Sequence, residues 1–176
     1  MGKVAVFCSA SYDIDPVYNV LARDFVRRAS AAGHEIVSGG TIKGTMGEIA
    51  DELSLCGGYH IGIIPRFMEP LVHGALDEVV WTDTMSERKE LMRKGTDAVV
   101  ALPGGIGTLD EVIETFTLRK LDRYRGKVLV LDCNGFYAPL KELLDHYVRT
   151  GMLDRDSRNL ISFADSVDEI LSMLED

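Results

Sequence analysis

The chain has 176 residues and a formal charge of −9, with 46% hydrophobic and 27% charged residues. That length suits one domain spanning the whole chain, and that balance excludes wholesale disorder. The acidic surface excludes nucleic acid and anionic membranes as bulk partners, although a local backbone loop can still bind phosphate against the global field.

Three cysteines, Cys8, Cys56 and Cys133, contain no CxxC pair. A disulfide framework or zinc knuckle is therefore not expected, and a reducing cytoplasm is the natural compartment. No apolar stretch approaches the ~18 residues of a membrane span. The short run Val4-Ala5-Val6-Phe7 behind Met1-Gly2-Lys3 is too brief for a secretion signal.

In chain order, Lys3–Cys8 reads as a buried strand. Asp15-Pro16 is a cap followed by a first-turn proline, predicting a helix to Ala32 that stops at Gly33. His34–Ser38 is a second strand, and the glycine-rich segment Gly39–Gly47 leads from it into a helix ending at Cys56 before Gly57-Gly58. Tyr59–Ile64 is a third strand and Arg66–Asp77 reads as irregular. Glu78–Trp81 is a short strand, Thr84–Lys94 a helix, and Asp97–Leu102 a strand. The loop Pro103-Gly104-Gly105-Ile106-Gly107 opens a long helix predicted over Thr108–Tyr124. Lys127–Asp132 is a strand, with helices at Ala138–Thr150 and Ser166–Leu174. Continuous rather than alternating apolar strands, separated by helices, predict an α/β fold: a three-layer, Rossmann-like doubly wound parallel sheet. Ligands in such sheets bind beyond the carboxyl ends of strands, where both glycine loops fall.

The second loop carries the strongest chemical signal. Three glycines bring the backbone close to a ligand, and the helix that follows offers unpaired amides with partial positive charge. Thr108 adds a hydroxyl. The loop lacks the Lys-Ser/Thr ending of a Walker A motif, and Cys8-Ser9-Ala10-Ser11 after the first strand lacks dinucleotide-binding glycines. Two readings of Thr108-x-x-Glu111 stay open: a capping box, or a carboxylate available to a ligand. Met85, Arg88, Lys89 and Met92 fall on one helical stripe, where Arg88 either snorkels at a helix contact or faces a phosphate or carboxylate. Gly39 and Gly40 are either a plain turn or a second wall of amides. The four histidines are dispersed and read as structural, Cys8 has no motif partner that would make it a nucleophile, and Asp122–Arg125 reads as a solvated helix end.

Glu87-Arg88-Lys89-x-x-Met92 with Pro103-Gly104-Gly105-x-Gly107-Thr108-x-x-Glu111 resembles the Lonely Guy (LOG) family. These are cytokinin riboside 5′-monophosphate phosphoribohydrolases, also called possible lysine decarboxylases. Cys8-Ser9-Ala10-Ser11, Ser38-Gly39-Gly40-Thr41, Gly44-Thr45-Met46-Gly47, Asp97-Ala98 and Gly135-Phe136-Tyr137 extend the resemblance over nearly the whole chain. It implies a homodimer that hydrolyses the N-glycosidic bond of a nucleoside 5′-monophosphate, releasing free base and ribose 5-phosphate, without metal or redox cofactor. It implies Arg88 and Glu111 as the catalytic pair. It also implies substrate binding by Gly104, Gly105, Ile106, Gly107 and Thr108 with Lys89 beside the phosphate, and by Thr117, Gly39, Gly40, Met85 and Ser9. Glu69 falls near a ligand-contacting glutamate of the family. Ser86, Leu118, Ser38 and Thr41 depart from the pattern and leave the base open between a prenylated cytokinin and a plain purine such as that of AMP. A non-catalytic nucleotide or cofactor carrier, or a sugar-phosphate-binding regulator, would use the same loop.

Overall fold

The computed structural model describes residues 2–175. Seven strands, β1 (Lys3–Phe7), β2 (Glu35–Ser38), β3 (His60–Pro65), β4 (Glu78–Thr82), β5 (Ala98–Ala101), β6 (Lys127–Leu131) and β7 (Ile161–Ala164), form one sheet in the order β4-β3-β2-β1-β5-β6-β7. Every pairing is parallel, as expected of strands joined by helical crossovers. The helices are α1 (Pro16–Ala31), α2 (Gly44–Cys56), α3 (Met85–Arg93), α4 (Ile106–Lys120), α5 (Ala138–Arg149), α6 (Arg155–Arg158) and α7 (Val167–Glu175).

Alternation within each strand builds two cores. Val4 and Val6 face α1, α2 and α7 with Phe25, Ile49, Leu53 and Ile170. Ala5 and Phe7 face the other side, where Met92, Val112, Phe116, Leu140 and Leu144 bring in α3, α4 and α5. Full burial of each large apolar side chain contributes ~1.5–3 kcal/mol, so the two helical layers clamp the sheet between them.

Winding runs outward from β1 to β4, then crosses back over β1 to begin again at β5. The crevice at this reversal, between the carboxyl ends of β1 and β5, is where such a sheet opens to a ligand. Asp15 accepts a hydrogen bond from the Val17 amide at 3.0 Å and Pro16 opens α1, as the sequence predicts.

Several elements differ from expectation, among them the short α6, which has no counterpart in the sequence reading, and a 3-10 turn at Arg66–Leu71 inside the segment read as irregular. β7 has no counterpart among the predicted strands, because Ile161-Ser162-Phe163-Ala164 is only four residues long, is interrupted by Ser162, and is paired only along β6. Helix α4 starts two residues earlier and ends four earlier than predicted, at Ile106 and Lys120. The Asp122–Arg125 run is not wholly solvated: Tyr124 is buried and its phenol meets the Thr96 hydroxyl at 2.9 Å.

Candidate active site

A cleft of about 320 Å3 sits at the winding reversal. One wall is the turn after β1. There the Ser9 hydroxyl accepts a hydrogen bond from the Ser11 amide at 3.0 Å, which holds Cys8–Ser11 tight against the cleft. The opposite wall is the start of α4. Its cap position is Gly105, with no side-chain hydrogen bond, so the first-turn amides around Ile106, Gly107 and Thr108 meet the cleft uncapped. A side chain at Gly104 would collide with Thr108, whereas Gly105 and Gly107 look into open space. Only the first glycine is needed for packing; the other two leave room beside the amides.

Arg88 enters from α3 and is only 5% exposed. Its Nε donates to the Ile63 carbonyl at 2.8 Å and its Nη2 to the Gly39 carbonyl at 2.7 Å. Among the described residues no carboxylate lies within ion-pair reach of it. A side chain at Gly39 would strike the guanidinium, so this glycine is what lets Arg88 lie flat on β2 and β3. The Gly39-Gly40 turn is itself held from beneath. The Gly40 amide donates to Ser38 Oγ at 3.0 Å, and Ser38 Oγ lies 2.7 Å from Nε2 of the fully buried His60. Burial pushes His60 down to about 4, so this support is neutral.

Glu111 completes the cleft. Its side chain takes part in none of the hydrogen bonds or ion pairs of the described residues, and it lines the cavity with Arg88, Thr108, Met46, Met85 and Met92. Burial raises its carboxyl to about 7, although the Arg88 charge pulls the other way. The Arg88 charge does not hold Glu111 in the ordinary carboxylate range. The guanidinium is turned toward main-chain carbonyls, and desolvation outweighs its field. The capping-box reading of Thr108-x-x-Glu111 is also overturned, because Thr108 lies inside the helix rather than at its cap. Cys8 lines the same cleft, but burial drives its thiol far above its ordinary value, so it stays protonated.

The structure therefore brings Ser9, Gly39, Met85, Arg88, Gly105, Ile106, Gly107, Thr108 and Glu111 to one cavity, with Gly40 and Gly104 shaping its walls. It does not bring Lys89 or Thr117 there. The Lys89 ammonium is bound to Glu114 at 2.6 Å and Asp110 at 2.9 Å, and with Thr117 it lines an adjoining open groove of about 910 Å3 along α4, which shares only Ile106 and Gly107 with the cleft. Glu69 lies in the 3-10 turn Arg66–Leu71 and does not line the cleft, although its neighbour Met68 meets Arg88 Nη1 at 4.0 Å.

A family described as possible lysine decarboxylase matches residues 46–174. A cytokinin riboside 5′-monophosphate phosphoribohydrolase of Mycobacterium tuberculosis is 32% identical over 170 residues, covering 96% of this chain and 90% of its own length. One of Arabidopsis thaliana is 31% identical over 176 residues, covering 99% and 83%. The chain belongs to the LOG family. Solved structures share its fold. The molybdenum cofactor carrier protein of Chlamydomonas reinhardtii superposes with a TM-score of 0.75 at 19% identity, covering 99% of this chain and 97% of that one. The molybdenum cofactor binding protein of Rippkaea orientalis gives 0.74 at 21%, covering 98% and 94%.

Several cleft residues of this LOG protein carry little signal in the sequence. Met46 comes from a glycine-rich run and Met92 from one turn beyond Arg88, and both read equally well as core. Tyr137 is buried beneath the second loop, where its hydroxyl donates to the Leu102 carbonyl at 2.8 Å and its amide to Asp132 at 2.6 Å. Nothing local in the sequence announces that brace; only the family triplet Gly135-Phe136-Tyr137 marks it.

Proposed function

We propose that the chain is a phosphoribohydrolase that cleaves the N-glycosidic bond of a nucleoside 5′-monophosphate, yielding free base and ribose 5-phosphate. The observation that carries this reading is the unbonded Glu111 carboxyl in one cleft with an uncapped helix start and a buried guanidinium. The names of the family relatives support it.

The phosphate docks on the first-turn amides of α4 and the Thr108 hydroxyl, where the helix dipole favours an anion. The ribose then lies over Glu111, one turn further along the helix. As the bond from C1′ to the base nitrogen breaks, positive charge grows on the sugar, and the ionised Glu111 carboxylate stabilises it. Glu111 also takes a proton from water as the water oxygen bonds to C1′, and that proton ends on the departing base. Arg88 holds its charge near the bond while its own hydrogen bonds keep it in place. A carboxyl near 7 can serve as base and then as proton donor within one cycle.

The substrate we favour is a purine nucleotide, either AMP or a prenylated cytokinin riboside monophosphate. The open α4 groove, with Ile106 83% exposed at its lip, is the face we assign to a second copy in a homodimer. The deciding test is incubation with AMP and with a cytokinin riboside monophosphate, followed by chromatography for free base. Release by the wild type and its loss in Glu111→Gln is expected. Tight binding without release from either nucleotide makes the protein a carrier and overturns the proposal.

A further inference from the structure

The opposite edge of the sheet carries a further cavity, of about 560 Å3, with no part in the chemistry above. It lies where chain enters β5 and β6, lined by Arg93, Lys94, Thr96, Arg123, Tyr124 and Arg125. Four of those six are cations, and Glu90 is the one carboxylate on the wall. This concentration stands out in a chain of net charge −9.

Pairing alone does not set the pocket apart. Arg23, Arg28, Arg149 and Arg158 each meet a carboxylate, but among the described residues Lys43, Arg119, Lys120 and Arg155 do not. What distinguishes the pocket is that its cations line one cavity. Of the pocket cations, only Arg93 meets a carboxylate, at 3.0 Å from Glu114. Among the described residues, Lys94, Arg123 and Arg125 have no carboxylate within 4.0 Å. Helix ends explain part of this, since Arg93 closes α3 and cations suit a helix carboxyl end. They do not explain Arg123 and Arg125, which lie beyond the end of α4.

The strap bearing those two arginines is held rigidly. The Arg123 and Tyr124 amides both donate to the Leu118 carbonyl, at 2.8 and 3.2 Å. The Thr96 hydroxyl donates to the Arg93 carbonyl at 2.8 Å, so the Tyr124 phenol must be the donor in its 2.9 Å bond to Thr96. The Lys127 amide donates to the Asp97 carbonyl at 2.9 Å, closing the far end. Tyr124 is the buried anchor between two exposed arginines, so the backbone that carries both is held in place beside the pocket.

From this geometry we infer that the Arg93–Lys94–Arg123–Arg125 pocket is a binding site for a small anion carrying two or more linked phosphates. Forked guanidiniums match phosphate oxygens in pairs, and several cations around one bounded cavity need a ligand of several charges. A nucleic acid strand fits poorly, because beyond the pocket it would run over an acidic surface. The inference does not depend on the hydrolase reading, since the two sites share no residue.

The test is calorimetric titration of the full chain at low salt with inorganic tripolyphosphate, ATP and orthophosphate. Tripolyphosphate or ATP should bind the wild type. Arg123→Gln/Arg125→Gln should weaken that binding by roughly tenfold or more, with thermal unfolding and nucleotide hydrolysis unchanged. ATP binding more tightly than tripolyphosphate, with the same loss in the variant, shows that the nucleoside is read too; equal affinities show that the phosphate chain suffices. The control Lys43→Gln/Arg155→Gln removes two cations elsewhere. Equal weakening in that control, unchanged affinity in the arginine variant, no wild-type binding, or orthophosphate binding as tightly as tripolyphosphate would each overturn the inference.

Discussion

The spacing Thr-x-x-Glu occurs at the start of both α3 and α4, and the fold uses it in two ways. At α3, Thr84 is the cap: its hydroxyl accepts from the Glu87 amide at 3.1 Å, while Glu87 accepts from the Asp83 amide at 2.7 Å. The motif is consumed in closing the helix. At α4 the helix starts upstream at Gly105, so Thr108 and Glu111 lie within it and close nothing. The same four-residue pattern is structural in one place and chemically free in the other. What separates them is whether a glycine has already taken the cap position.

The comparison can be broken most severely at its two glutamates. Glu111→Gln should lower free-base release by roughly 10²–10⁴-fold, the usual worth of a positioned acid–base group, with the circular dichroism spectrum unchanged. Glu87→Gln should keep activity within a few fold; an equal loss there would show that both glutamates serve the fold. Next in size, Gly105→Asp gives α4 the cap it lacks. It should raise KM by roughly tenfold or more by placing a carboxylate where phosphate docks, while urea unfolding shows a gain of only a few tenths of a kcal/mol.

A third outcome separates the glutamates by pH. Glu111 is harder to ionise in the folded state, moving from 4.5 to about 7. Its contribution to stability is therefore present below about 4.5 and lost as pH rises through 7. Glu111→Gln removes that loss and should be more stable than wild type at pH 8, on the order of 2 kcal/mol by chemical denaturation. His60 runs the other way: lowered from 6.5 to about 4, it favours the fold above 6.5 and costs stability as pH falls toward 4. His60→Leu should flatten that acid limb. Smallest of all, Thr84→Ala should cost ~1 kcal/mol, the worth of a lost cap, and leave KM unchanged.

The parallel sheet was legible because buried parallel strands are continuous apolar runs punctuated by glycine and proline; the order of its strands comes from the structure alone. β7 was not, since four residues with a serine at the second place give neither a run nor an alternation. Within the site, spacing marked the glycine loop, while for Arg88 and Glu111 it left two readings open that only the family resemblance resolved. The start of α4 was not, because Thr108-x-x-Glu111 imitates a cap signal and only packing shows that Gly105 holds the place. The direction of Arg88 was hidden for a related reason: its partners are the carbonyls of Ile63 and Gly39, 25 and 49 residues distant, and a carbonyl belongs to every residue type. Lys89 was drawn away by Asp110 and Glu114, two acids that look like ordinary solvated helix positions until α3 and α4 pack side by side.

The guanidinium resting on main-chain oxygens has one more consequence. Those oxygens bear only partial charge, so an isolated cation sits inside the folded molecule without a full neutralising neighbour. A ligand bringing negative charge into the cleft would complete that local balance, and the native state would then melt later in its presence than in its absence. For this protein, occupancy and durability would rise together.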